Sequence, residues 1–213
     1  KEEKYMTYII PILTIIIYAI MFAFLFKKRI EQTIPISVIA IVLVVYIFGL
    51  FDNLKLGAII TGVMAIMQLA IILCILCKEK DYRKVINKIK NIITPGLIIY
   101  IALTVLFVIL NKGRTFENYD EFNHWGKIIK NMFMYNSYGT NIESTIKFNE
   151  YPPFTAIFQY IFLCINNQYH EDIVITAQCI LYLSIIIPIT KNLRWDKKII
   201  KNIISFVLVI ICM

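Results

Sequence analysis

The run Tyr119-Asp120-Glu121-Phe122-Asn123-His124-Trp125-Gly126-Lys127 brings two adjacent carboxylates, a histidine and a lysine into one short stretch. A carboxylate held at a partly desolvated boundary has a raised pKa and can take a proton from a hydroxyl. Lys127 and Lys130, close behind, are suited to holding a phosphate as point charges. The same residues also read as a plain helix start. Asp is a favoured N-cap, Glu in a first turn suits the helix dipole, and His124 can be an ordinary interfacial side chain. Two carboxylates and a histidine invite a metal too, but adjacent Asp and Glu point in different directions on a helix. A metal site would need ligands from elsewhere, so none is assigned and no cofactor is indicated.

A second feature is Glu150-Tyr151-Pro152-Pro153. Two prolines stiffen the chain, and proline at a helix's first position costs no hydrogen bond. Tyr151 has the amphipathic ring that anchors at a membrane surface. By themselves these residues are also a simple helix-entry signal.

The elements that must position these groups follow from hydropathy. Of the 213 residues 59% are apolar, and mean hydropathy is +0.72. The apolar residues come in blocks, and ~20 of them in helix cross the ~30 Å hydrocarbon slab. Backbone polar groups find no water there, so the blocks must be helices. Spans are expected at residues 5–26, 34–51, 56–77 and 92–110, with Pro95 tolerated in a first turn. Shorter blocks follow at 154–165 and 173–189, and a last one runs from 199 to 213. The expectation is an all-α polytopic transmembrane bundle of about seven segments. It divides into four spans over 1–111, an acidic loop over 112–152, and further spans over 153–213. The chain opens on Lys1 and closes within an apolar run, so it reads as part of a longer protein, an incomplete membrane domain.

Within the loop, Phe122, Trp125, Ile129, Met132 and Phe133 share one helical face. This predicts an amphipathic helix lying in the membrane interface, apolar face down. The spans themselves carry no ionisable side chain, only Gln68. That argues against an ion-coupled transporter.

The net charge of +8 lies between the apolar blocks, at Lys27-Lys28-Arg29 and from Lys78 to Lys90. That is the positive-inside pattern rather than a nucleic-acid footprint, and no nucleic-acid module is present. Both basic loops are then cytoplasmic, and the loop 112–152 lies outside a multi-pass cell membrane. Lys191, Arg194, Lys197, Lys198 and Lys201 conflict with this if both short blocks cross. Either the rule fails there or one block is re-entrant; residues 154–165 span only about 18 Å as helix. Cys74 and Cys77 form a CxxC inside an apolar run, which reads as packed or lipid-facing residues rather than redox or metal chemistry.

Together the Asp-Glu pair in an extracytoplasmic loop and the Tyr-Pro-Pro opening the next block resemble the GT-C membrane glycosyltransferases. The resemblance covers residues 115–190 and is to the family 39, protein-mannosyltransferase and aminoarabinose-transferase relatives. It implies a polyprenyl-phosphate sugar as donor, a hydroxyl as acceptor, and the lipid bilayer as setting. It carries the base to Asp120, a supporting role to Glu121, donor-phosphate contacts to His124 and Lys127, and the pocket rim to Tyr151, Pro152 and Pro153. One departure is that the acidic loop follows the fourth span, where the family places it after the first. The family's C-terminal half is also missing, so this stretch alone is expected to be inactive. A non-enzymatic transport, export or assembly subunit is the alternative.

Overall fold

The computed structural model describes residues 2–138, 152–166, 168–195, 204 and 207–211. Among these the chain is helical, without strands. The helices are α1 (Glu2–Phe26), α2 (Ile30–Gly49), α3 (Leu54–Lys78), α4 (Tyr82–Ile92), α5 (Pro95–Leu110), α6 (Gly126–Tyr135), α7 (Phe154–Leu163) and α8 (Glu171–Ile186). A single π turn, Glu121–Trp125, leads into α6, and a 3-10 segment, Ile187–Asn192, continues α8. Five stretches are long and apolar enough to cross a membrane: Met6–Phe26, Ile30–Gly49, Leu54–Lys78, Tyr82–Leu110 and Glu171–Asn192. The bundle therefore has a bilayer's dimensions. Tyr151 and most of the block 199–213 lie outside the described residues.

Helix α2 is central and packs against α1, α3, α5, α7 and α8. Its contact with α3 is close because Gly57 has no side chain; a Cβ there would sit 2.9 Å from the Val45 Cα. Small residues at such crossings let backbones approach where lipid offers no hydrophobic drive. Hydroxyls add polar ties. Thr33 Oγ1 donates to the Ala19 carbonyl at 2.7 Å, and the Tyr100 and Ser184 hydroxyls meet at 3.0 Å between α5 and α8. Each such tie contributes about 0.6 kcal/mol in a membrane. Cys74 and Cys77 are exposed on α3, as their apolar surroundings suggested.

The helix ends sort into two sets. At one end sit the Lys27–Arg29 turn, the end of α3 and the start of α5, where Thr94 Oγ1 donates to Glu31 Oε2 at 2.9 Å. Trp195 belongs to the same end, because its indole Nε1 donates to the Ile93 carbonyl at 2.8 Å. The opposite end holds Asp52, Asn53, the end of α5, the residues 111–120, α6 and the start of α8. Helix α8 is tied there by Gly113 N–H to Asp172 Oδ2 at 2.9 Å and Phe116 N–H to Glu171 Oε2 at 2.8 Å.

This arrangement removes the conflict for Lys191 and Arg194; Lys197, Lys198 and Lys201 lie outside the described residues. The chain leaves α6 and enters α8 at the same end, so ten-residue α7 makes no net crossing. Lys191 and Arg194 then fall at the same end as Lys27–Arg29 and Lys78–Lys90. Most of the described basic residues therefore gather at that end, with Lys55, Lys112, Arg114, Lys127 and Lys130 at the other.

One expectation is corrected. The spans do carry ionisable groups. Helix α2 begins at Ile30, earlier than apolarity alone indicated, and takes in fully buried Glu31. Arg29 Nε lies 2.9 Å from Glu31 Oε1. Asp172, also buried, sits in the first turn of α8. A hydropathy window misses both because each charge is neutralised or hydrogen-bonded at a helix end.

Candidate functional site

Residues 111–120 cross the end of the bundle, and Asn118 starts the next helical stretch. Its carbonyl accepts from Glu121 N–H at 3.1 Å and Phe122 N–H at 3.3 Å. Glu121 reaches back in turn. Its Oε2 accepts from the backbone N–H of Glu117 at 2.8 Å and of Asn118 at 2.9 Å. This is the returning half of a capping box, with the glutamate three residues past the cap. The two backbone N–H groups hold the Glu121 carboxyl below the usual carboxylate range, with smaller help from the Asn118 side chain and the Arg114 charge. Asp120, the residue favoured as cap from composition, makes no side-chain capping bond; it is already helical, with φ −68° and ψ −30°. It is exposed.

The π turn changes which side chains face inward. Gly126 N–H bonds to the Glu121 carbonyl, five residues back, which inserts extra rotation. The residues expected on one membrane-facing stripe divide: Ile129 and Met132 are buried in the protein, whereas Phe122 and Trp125 are exposed. The stripe at regular helical spacing is thus broken at Trp125. The buried face of α6 packs on the protein, chiefly on α7. His124 is buried, its ring edge-on to Trp125 with centroids 4.6 Å apart.

Two cavities adjoin this turn and share Phe116, Glu121 and Gly126 as walls. One, of about 380 Å³, runs between α7 and α8 past Gln159 and Gln178 to Tyr182. Tyr182 is three turns into α8, part of a stretch long and apolar enough to cross a membrane. The other, of about 370 Å³, is more polar and is bordered by Lys127, Lys130, Tyr169 and Glu171. Tyr169 donates its hydroxyl to the Gly126 carbonyl at 3.1 Å. Burial, and then the Glu171 charge, raise its pKa well above the ordinary tyrosine value.

The predicted site residues separate accordingly. Glu121 lines both chambers and Lys127 the polar one. Asp120 and His124 line neither of these two. Pro152 is exposed and Pro153, half-buried, stands just before Phe154, its carbonyl accepting from Ile157 N–H at 2.8 Å. Among the described residues no three His, Cys, Asp or Glu side chains gather into a metal site.

Residues that the motif reading missed also shape the site. Phe116 borders both chambers. Gln159, whose Nε2 donates to the Val174 carbonyl at 3.3 Å, brings an amide into the deeper one. Asn136 fixes the far end of α6. It adopts the left-handed conformation, φ 56° and ψ 21°. Its side-chain Oδ1 accepts from Lys55 N–H at 2.7 Å and from the Tyr160 hydroxyl at 3.0 Å. An Asn directly after an apolar helical run is the one sequence signal that could have found it.

No protein-family model, curated protein or solved structure matches the chain.

Proposed function

We propose that this protein is a membrane glycosyltransferase of the GT-C type. It moves a sugar from a polyprenyl-phosphate donor to a hydroxyl acceptor at the outer face of the cell membrane. The orientation rests on gathering of the basic segments at one end, which makes that end cytoplasmic and the cavity end extracytoplasmic. In this setting α6 lies near the outer membrane surface.

The observation that carries the reading is the pair of chambers with a shared carboxylate wall. An amphiphilic donor needs an apolar channel at bilayer depth and a polar chamber beside it. The chamber along α8 suits the chain, and the one by Lys127 and Lys130 suits a phosphate. In the transfer the acceptor oxygen forms a bond to the anomeric carbon as the bond to the donor phosphate oxygen breaks. The acceptor proton passes to a carboxylate, and the phosphate leaves on its lipid. The resemblance gives the base role to Asp120. The cavity geometry points to Glu121, which has accepting capacity beyond its capping bonds. Those bonds hold its carboxyl below the usual range rather than raising it, so it is a weaker base than the sequence alone suggests.

A non-enzymatic transport or assembly role is favoured by one observation, that Glu121 already serves as a helix cap. The experiment that separates the readings uses membranes expressing the full-length protein to which this stretch is expected to belong, and labelled polyprenyl-phosphate sugars. Label should leave the lipid fraction with the parent protein, and Glu121→Gln should slow this by on the order of a hundredfold or more. Lipid-linked label that stays put with the parent, or turns over equally in Glu121→Gln and Asp120→Asn, refutes the enzymatic reading.

A further inference from the structure

Helix α4 has a surface that the transfer reaction does not use. Its residues divide by helical angle into an apolar arc of Tyr82, Val85, Ile86, Ile89 and Ile92, and a polar arc with Arg83, Lys84, Lys88 and Lys90. None of its residues is buried by the rest of the protein. Tyr82 is 76% exposed and Ile89 is exposed too. Val85, Ile86 and Ile92 are half-buried, and Ile92 packs on the core beside α1, so Tyr82 and Ile89 are the exposed part of the apolar arc.

The charges are equally available. Lys88 pairs with Glu79 at 3.1 Å, and Asp81 accepts from the Arg83 backbone N–H at 2.9 Å in capping the helix. Arg83, Lys84 and Lys90 make no ion pair among the described residues. Lys78, Lys80 and the Lys27–Arg29 turn add cations at the same end of the bundle.

The backbone frees α4 from the axis of α5. Ile93 (φ −83°, ψ 84°) and Thr94 (φ −112°, ψ 156°) are both non-helical. Pro95 disfavours a helical Thr94. The α4–α5 stretch of 29 residues would reach about 43 Å if straight, more than the ~30 Å hydrocarbon slab. Helix α5, with 16 residues, reaches about 24 Å, and the non-helical Ile93 and Thr94 add the few ångströms that bring it to the slab's edge, which leaves most of α4 at the surface.

We propose that α4 docks on anionic phospholipid headgroups. Its apolar arc enters the acyl boundary, and Arg83, Lys84 and Lys90 meet the headgroup phosphates. The occupant follows from charge complementarity. A basic amphipathic helix joined to spanning helices at both ends meets the leaflet surface before any soluble partner. An acidic soluble protein would fit the cations but would leave the apolar arc, which faces the acyl region, without a role.

The test reconstitutes the protein into vesicles of phosphatidylcholine mixed with phosphatidylglycerol. It then measures the ratio of the two lipids retained after mild detergent extraction. The parent should be enriched in phosphatidylglycerol. Replacing Arg83, Lys84 and Lys90 with Gln should lower the enrichment, by up to about fivefold per cation. Rising salt should lower it for the unaltered protein as well, a measurement that needs no variant to fold. Equal retention of both lipids, enrichment insensitive to salt, or enrichment unchanged in the folded triple variant overturns the proposal.

Discussion

The side-chain oxygen of Asn136 accepts from the backbone N–H of Lys55 at 2.7 Å, so the last residue of the α6 turn caps the start of α3. Leu54 N–H adds a bond to the Asn136 carbonyl at 3.1 Å. The first amides of a helix have no partner within it, and here a residue 81 positions away supplies one. The cavity-bearing segment is thus held by the membrane bundle rather than resting on it.

Asn136→Ala should destabilise the protein by about 2 kcal/mol, because it leaves the Lys55 amide and the Tyr160 hydroxyl short of an acceptor and strains a left-handed residue. Asn136→Gly keeps the backbone conformation and should recover part of the loss. Thermal unfolding in detergent reads both. Parent-like melting of the alanine variant would mean that this cap contributes nothing.

Glu31→Ala should cost about 3–5 kcal/mol, since it leaves Arg29 uncompensated beside a buried site and removes the acceptor of Thr94. Glu31→Gln retains a hydrogen-bonding side chain and should be milder. If denaturant midpoints rank the two variants in the opposite order, the charge pair is not what holds this end of α2, α5 and the 3-10 segment together.

Gly126→Ala is expected to disturb both chambers at once. A methyl group there would meet the Phe116 ring and the Glu121 carbonyl. The Phe116 ring should shift, at a cost of about 1–3 kcal/mol. Solvent access to a probe in the deeper chamber would report the shift. Unchanged access and unchanged melting together would show that Phe116 yields freely.

Glu121 should make stability fall in acid. Its folded pKa is depressed below the ordinary 4.5, so its stabilising contribution is present above that value. It is lost as pH drops through the lower folded value. Protection of the Glu117 and Asn118 amides, taken as exchange relative to the intrinsic rate at each pH, should fall over that window in the parent, whereas Glu121→Gln should be less protected at neutral pH and lack the acid step. A parent whose protection factors stay constant throughout the acid range would refute the capping interaction.

The helices were legible in the sequence because the bilayer demands long apolar runs. Pro95 marks the start of α5 as its chemistry requires. Less legible were features set by one hydrogen bond. The π turn at Glu121–Trp125 has no composition of its own, so regular spacing put Phe122 and Trp125 on one face with Ile129 and Met132, whereas the first two are exposed and the last two buried. Glu31 escaped notice because a charge satisfied by Arg29 and Thr94 can enter a span that an unpaired charge could not. The chemistry-bearing run was visible from residue types. Which of its carboxylates borders a cavity was not, because Phe116 and α8, distant in sequence from each other, build the other walls.

The gathering of Lys27–Arg29, Lys78–Lys90, Lys191 and Arg194 at one end also gives the bundle an electrical polarity. With that end inward, as proposed, the resting voltage favours every one of these cations where it stands. Carrying any of them through an inside-negative field costs ~2.3 kcal/mol per 100 mV. Energised membranes would therefore lock the insertion direction after synthesis, and a collapsed voltage would remove that lock without touching a single packing contact.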